Sequence, residues 1–362
     1  MTNKSSNKNL HKAKDSKNDE FYTQYFDIEK EMNAYLECDS DVFRGKSILL
    51  PCDDPEWSNF TKYFSQNFEL LGLRKLISTS YAPESKKIDA YVPTLFEMND
   101  AQYDNEKSQK CGKIFILTED KSGDGKIDIN DLGWTYLKGD GDFRSAEIKK
   151  LRDEADIIIT NPPFSLFREF LTWIVEANKK FVLIANKNCI TYKEVFPLIK
   201  NNMIWSGKTE WSGGMWFETV KIEDVDMVKE GVNMKNVSSI WLTNLDHGRR
   251  HQPLQLMTMA DNLKFNKKLK GKNAYVKYDN YDAIEVPFTE AIPSDYDGVM
   301  GVPISFLDKY NPDQFEIIGA TESEGKGFSM GLWKIESRVS QPLVNNCKVY
   351  KRLFVSHKKL NS

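Results

Sequence analysis

The stretch with the most chemical content is Asp156-Ile157-Ile158-Ile159-Thr160-Asn161-Pro162-Pro163-Phe164. Asn161 offers a side-chain amide oxygen. Pro162 offers a main-chain carbonyl on a stiff backbone, and Phe164 a flat aromatic face. Two acceptors held together suit the capture of an exocyclic amine through its two N–H bonds. The lone pair of such a nitrogen, adenine N6 for example, is delocalised into the ring and is a poor nucleophile. If the Asn161 oxygen and the Pro162 carbonyl accept both N–H bonds, the nitrogen turns more tetrahedral and its lone pair can point at a methyl donor. Fixed acceptors aimed at developing positive charge are an electrostatic form of catalysis. Phe164 would stack on the purine.

The elements that must position these groups are legible nearby. The short run of β-branched residues before Asn161 reads as a fully buried parallel strand. Two prolines cannot donate to a sheet ladder, so the strand stops at Asn161. The carboxyl ends of such strands are where open α/β sheets bind ligands. Ser165 is a candidate N-cap, and Leu166, Phe167, Phe170, Leu171 and Ile174 recur at helical spacing. Ser47 to Pro51 reads as a first buried strand and Arg74 to Thr79 as a second. Phe181 to Ala185, Met203 to Trp205 and Ser239 to Leu242 read as later ones.

Asn-Pro-Pro-Phe after an apolar strand resembles the catalytic motif of amino-group methyltransferases that use S-adenosylmethionine (SAM). Further stretches narrow the resemblance: Asp19 to Gln24, Cys52-Asp53-Asp54-Pro55, Gly139 to Ser145, and the region from Pro303 to Gly319. Together they resemble the EcoRI-type adenine-specific DNA methyltransferases, from about His11 to about Gly319. The resemblance implies an α/β fold with a seven-stranded, mostly parallel, Rossmann-like sheet and a smaller C-terminal recognition region. It also implies residue roles. Asn161, Pro162, Pro163 and Phe164 are the catalytic turn. Phe21, Tyr22 and Thr23 lie over the methionine part of SAM. Pro51, Cys52, Asp53 and Asp54 replace the glycine-rich turn of many SAM enzymes, and the acids suit the cofactor's ammonium group. Asp142 accepts from the cofactor's adenine amine, and Phe143 lines that ring. Ser80, Tyr81 and Ala82 stand where many relatives place a ribose-binding acid, so no ribose ligand is carried over.

A base buried in duplex DNA must be flipped out to reach such a turn. Trp216 or Phe217, in Trp211 to Phe217, is the candidate for stacking on its second face; either fits the core equally well. From His247 the composition changes. Arg249 and Arg250 are followed by Lys264, Lys267, Lys268, Lys270, Lys272 and Lys277, with Tyr275 and Tyr278 interleaved and no acid from 264 to 277. The net charge is only −3, so any nucleic-acid surface has to be local, and this stretch is it. Arginine's planar fork can read guanine, whereas lysine acts as a point charge on phosphate. Arg249 and Arg250 are therefore expected to read the site, and Lys267 and Lys268 to bind the backbone.

Asp120 to Asp131 matches the spacing of an EF-hand calcium loop. Its flanks do not. Lys113 to Leu117 before it reads as a strand, and Gly133 breaks a helix after it. The alternative is a polar hairpin turn beside the sheet. No metal is expected to be required. Five cysteines, an odd number without a C-x-x-C pair, argue against a disulfide scaffold or a zinc site and for a reducing cytoplasm. No apolar run approaches a membrane span.

The organisation expected is a basic flexible arm (1–17), a SAM-binding catalytic domain (18–246) with a polar insert at about 83–135, and a target-recognition region (247–362). The expected function is site-specific transfer of a methyl group from SAM to adenine N6 in double-stranded DNA. The enzyme would modify DNA within a restriction–modification system, or act as an orphan methylase. It would be a monomer or weak dimer, forming no stable complex with a cognate restriction endonuclease. The four-residue motif alone also fits an RNA adenine or a protein glutamine. Were the motif only structural, a calcium-regulated binding protein would be the alternative.

Overall fold

The computed structural model describes residues 22–53, 58–82, 102–219, 225–321, 328–334, 337 and 339–358. The expected basic arm, Phe21 and Asp54 lie outside these residues. The chain divides into two units, one of 1–186 with 213–245 and one of 187–212 with 246–362.

In chain order the first unit runs β1 (Tyr22–Thr23), α1 (Tyr25–Cys38), β2 (Ser47–Leu50), α2 (Asn59–Gln66), β3 (Lys75–Thr79), α3 (Asn105–Lys110), β4 (Lys113–Leu117), β5 (Gly133–Tyr136), α4 (Ala146–Glu154), β6 (Ile157–Thr160), α5 (Phe167–Glu176) and β7 (Lys180–Asn186). The first segment of the second unit holds α6 (Phe196–Lys200) and β8 (Trp205–Ser206). The first unit resumes with β9 (Met215–Glu218), β10 (Met227–Lys229), β11 (Val232–Val237) and β12 (Ser239–Thr243). The second unit ends with α7 (Met259–Phe265), β13 (Ile284–Glu285), β14 (Met300–Pro303), β15 (Phe315–Ala320), β16 (Leu343–Val344), β17 (Cys347–Lys348) and β18 (Arg352–His357).

Seven strands of the first unit share a sheet in the order β5-β4-β3-β2-β6-β7-β12. The four central strands are parallel, with Leu49 opposite both Ile77 and Ile158, and Ile158 opposite Phe181. On the flanks β4 runs antiparallel to β3, β5 antiparallel to β4, and β12 antiparallel to β7. The expected mostly parallel sheet is thus corrected to a mixed one. A parallel pair needs a long crossover, whereas β4 and β5 join as a hairpin. Every residue of β2 and β6 is buried, as apolar runs between two covered faces should be.

Local signals explain the helices. Ser58 caps α2 by accepting from Phe60 N and Thr61 N, and Ser145 caps α4 by accepting from Ile148 N. The N-cap position of α5 falls on Leu166 and not on Ser165. Ser165 is exposed within a 3₁₀ turn, Phe164–Leu166, and the α-helix begins only at Phe167.

Asp120 to Asp131 lies between two strands, as the polar hairpin reading requires. Asp131 accepts from the N–H groups of Asp128, Ser122 and Lys121 at 2.9, 2.7 and 2.8 Å. Those bonds hold its carboxyl down at about 2. Asp120 accepts from Gly123 N and Gly125 N.

In the second unit β13-β14-β18-β15 form a sheet over a core that includes Tyr278, Tyr281 and Phe354. A buried ion pair, Arg352 to Glu285 at 2.6 Å, lies within it, and the Tyr278 hydroxyl donates to the same carboxylate. Tyr278 is only 1% exposed, and the Tyr275 hydroxyl donates to the Ala291 carbonyl. Tyr278 is therefore a core ring and Tyr275 is half-buried, so of the two tyrosines interleaved with the lysines only Tyr275 retains any surface.

Candidate active site

Because β3, β2 and β6 are parallel neighbours, their carboxyl ends share one edge of the sheet. That edge carries Tyr81 after β3, Pro51-Cys52-Asp53 after β2, and Asn161-Pro162-Pro163-Phe164 after β6. Asn161 is half-buried and Pro162 buried. Phe164 is partly buried against the main core, so one part of the ring is packed and the rest open.

Asp53 connects two of these strand ends. The residue is 7% exposed, and its carboxylate accepts from Ser58 Oγ at 2.8 Å and from Thr160 Oγ1 at 2.6 Å. The Ser78 hydroxyl donates to the Asp53 carbonyl and lies 3.0 Å from Thr61 Oγ1. One buried network therefore links the loop after β2, the N-terminus of α2 and the last residue of β6, beside Asn161.

The N-terminal segment joins the same network. Asn59, the first residue of α2, donates from Nδ2 to the Thr23 carbonyl at 2.8 Å. Strand β1 pairs with β9, placing Thr23 opposite Phe217 and Tyr22 opposite Glu218. Gly214, which opens the turn into β9, has φ +73°, and a Cβ there would lie 2.7 Å from the Val237 carbonyl oxygen. Only glycine fits such a position. The alternation of β9 separates the two stacking candidates: Phe217 is fully buried, whereas Trp216 is 37% exposed. Phe217 is thus a core residue, and Trp216 alone has a ring surface to offer a base.

Thr23 is 4% exposed, and its hydroxyl has no hydrogen-bond partner among the described residues. A buried hydroxyl left unpaired is costly and in a native structure signals a missing partner. This orphan, beside Asn59 and the Ser58–Asp53 network, fits the polar end of an amino-acid-bearing cofactor.

The turn Gly139 to Asp142 packs against the end of β3. The Ala82 N–H donates to the Asp140 carbonyl at 2.8 Å. Gly141 has φ +88°, and a Cβ there would lie 2.3 Å from the Ser80 oxygen. Burial alone would raise the Asp142 carboxyl. Hydrogen bonds from the Arg144 side chain and N–H and from Tyr81 outweigh burial and hold it at about 2. Arg144 also approaches Glu169 at 3.5 Å. Phe143, by contrast, is 1% exposed and lies edge-on to Phe170 and Trp173 at 5.1 and 5.6 Å. These ring contacts anchor the Asp142 turn to α5.

The two arginines expected to read DNA are engaged inside the second unit. Arg249 pairs with Asp308 at 2.8 Å, with both side chains largely buried. Arg250 is 8% exposed and lies over the Trp205 ring at 3.5 Å, with Asn202 and Asp246 as further partners. Their guanidiniums tie the unit together, so a base-reading role is not carried forward. The lysines differ. Lys264, Lys267, Lys268, Lys270, Lys272 and Lys277 are all exposed.

Sequence reasoning passed over Thr160, Ser58 and Tyr81. Ser58 was detectable as an N-cap before an amphipathic run. Thr160 and Tyr81 carry no local signal, because their partners are brought in by the sheet.

An α/β domain with an Asn-Pro-Pro-Phe turn at the end of a buried central strand suits an amino-group methyltransferase. The chain belongs to the EcoRI-type family of adenine-specific methyltransferases, whose model, described as adenine-specific methyltransferase EcoRI, matches residues 9–358. It is 44% identical over 324 residues to the Type II methyltransferase M.EcoRI of Escherichia coli, covering 88% of this chain and 90% of that protein. It is 33% identical over 317 residues to the Type II methyltransferase M.MpnI of Mycoplasma pneumoniae, covering 85% of this chain and 84% of that protein. A Mycoplasma genitalium relative, Type II methyltransferase M.MgeORF184P, is 32% identical over 316 residues, covering 85% of each chain. No solved structure matches the chain at comparable significance. Among the described residues no helix is long and apolar enough to cross a membrane.

Proposed function

We propose that this methyltransferase transfers the methyl group of SAM to N6 of an adenine in a short duplex DNA site, within a Rossmann-like catalytic unit. The observation that carries the reading is the placement of Asn161-Pro162-Pro163-Phe164 at the carboxyl end of a buried central strand, tied through Thr160 to Asp53.

The Asn161 amide oxygen and the Pro162 carbonyl accept the two N–H bonds of the adenine amine. Phe164 stacks on the purine, and Trp216 offers the second face. Removal of the base from the helix costs a few kcal/mol, which stacking and backbone contacts offset. Transfer would release the sulfur as a neutral thioether, and the surplus proton on the methylated nitrogen passes to water, because the amide and peptide oxygens that orient it are too weakly basic to keep it. Thr23, with Tyr22, holds the amino-acid end of SAM, the Asp53 carboxylate faces its ammonium, and Asp142 takes its adenine amine. The sulfonium supplies an already activated methyl group, so no metal is needed. The exposed lysines from Lys264 to Lys277 bind DNA phosphates. The protein serves as the modification enzyme of a restriction–modification system or as an orphan methylase, acting as a monomer or weak dimer in the cytoplasm.

The test uses SAM labelled in its methyl group, incubated with the protein and separately with duplex DNA, structured RNA and a mixed protein substrate. The reading predicts label in duplex DNA alone, released on digestion as N6-methyladenine. Label in RNA or protein instead would overturn it.

A further inference from the structure

We infer that Thr160 is a positioning residue for methyl transfer, one that fixes the catalytic turn against the cofactor loop through Asp53. The inference rests on the proposed function and adds a residue outside the four-residue motif.

Strands β2 and β6 are clamped together at both ends. At their starts, Asp156 N–H donates to the Ser47 carbonyl at 2.9 Å, and the Asp156 carboxylate accepts from Ser47 N at 2.8 Å. Arg74 reaches the same carboxylate at 2.9 Å. Their paired register runs from Ile48 opposite Ile157 to Leu49 opposite Ile158, and two prolines follow Asn161. Beyond that register the Thr160 hydroxyl donates to Asp53 Oδ2 at 2.6 Å. Thr160 is 0% exposed, so this bond lies away from competing water. Asp53 is held from its other oxygen by Ser58, itself fixed as the N-cap of α2.

Methyl transfer is an in-line displacement whose rate depends steeply on the placement of donor and acceptor. The acceptor amine is held one residue after Thr160. The donor is held in the loop that contains Asp53. A hydroxyl–carboxylate bond between these two segments sets their spacing directly. A hydrogen bond to a buried carboxylate is one of the stronger kinds. Threonine serves because its hydroxyl leaves Cβ within a β-branched side chain that the buried strand accommodates.

The test compares Thr160→Val, which keeps the shape and removes the hydroxyl, with Thr160→Ser, which keeps the hydroxyl. Full-length protein is assayed for SAM affinity by calorimetry, for single-turnover methylation at saturating SAM, and for duplex affinity. Thr160→Val is expected to weaken SAM binding by about tenfold and to slow the saturated rate by about tenfold or more. Its duplex affinity should stay within about twofold of wild type, a split that general destabilisation would not produce. Thr160→Ser should restore both quantities to within about threefold of wild type. Combining Thr160→Val with Asp53→Ala should cost no more than Asp53→Ala alone, since that change has already removed the carboxylate that Thr160 bonds. Should Thr160→Val fail to fold, the serine variant and the Asp53→Ala variant still report. A serine variant as impaired as a fully inactive control would overturn the inference. So would a folded valine variant with wild-type SAM affinity and rate. A wild-type protein that neither binds SAM nor methylates DNA would overturn the proposed function, and the inference with it.

Discussion

Asn59 Nδ2 donates a 2.8 Å hydrogen bond to the carbonyl of Thr23, while the Thr23 hydroxyl, buried a few atoms away, has no partner among the described residues. The backbone of the N-terminal segment is thus fixed to the start of α2, and its side chain is left with unused hydrogen-bonding capacity. That combination is the reason Thr23 is proposed as a ligand contact.

Thr23→Val should therefore separate binding from stability. Removal of an unpaired buried hydroxyl leaves the melting temperature unchanged or slightly higher, because no protein hydrogen bond is broken. SAM affinity should fall by about tenfold, the worth of one hydrogen bond to a charged group. Thermal denaturation together with calorimetry checks both. A fall in melting temperature with unchanged SAM affinity would show the hydroxyl to be structural.

Arg249→Ala should cost stability instead of site preference. It strands Asp308, whose side chain is only 12% exposed, without its cation. Burial already raises the Asp308 carboxyl, and Arg249 is its main counterweight. Breaking such a pair costs about 3 kcal/mol. The variant should melt several degrees lower and keep the wild-type ratio of affinities for preferred and scrambled duplexes. Unchanged melting with lost discrimination would restore the base-reading role.

The exposed lysines should account for salt-dependent, sequence-independent affinity. Replacing Lys267, Lys268 and Lys270 with alanine should weaken binding to all duplexes alike. The slope of log affinity against log salt should flatten by about one unit for each lysine–phosphate pair removed. Salt titrations on two unrelated duplexes read this out. An unchanged slope would move the DNA surface elsewhere.

Asp142 should remain ionised to unusually low pH. Its folded-state value of about 2 lies below that of an unfolded aspartate, so its contribution to stability is complete above about pH 4. That contribution disappears as pH falls through about 2. Arg144→Ala should bring the carboxyl up toward the ordinary aspartate range, so the decline begins nearer about pH 4. A carboxyl-carbon NMR titration of both proteins follows it. Identical titration in the two would show that Arg144 does not hold the charge.

What the sequence made legible is what local rules govern. Ile157 to Thr160 announced a buried strand by composition, and Pro162 and Pro163 announced its end. Lys113 to Leu117 and Gly133 showed that the acidic loop joins strands rather than helices. The polar hairpin turn read beside the sheet implied the antiparallel β4–β5 pair, joined by the long connection 118–132, but nothing local showed that β12 runs antiparallel to β7. The partners of Arg249 and Arg250 were not legible because a cation's partner is a property of the fold. Asp308, Trp205 and Asn202 are distant in sequence, and nothing local distinguishes a paired guanidinium from a free one. Trp216 and Phe217 were inseparable for a simpler reason. A strand sends neighbours to opposite faces, and only the pairing of β9 with β1 and β11 shows which face is core.

The central claim is that Asn161 activates the target amine, and Asn161→Ala tests it most directly. SAM affinity by calorimetry and methyl transfer to duplex DNA should be measured on the same preparation. The account predicts SAM binding within about threefold of wild type, with single-turnover methylation lowered by about a thousandfold, as for removal of one oriented catalytic group. Near wild-type turnover in this variant would contradict it.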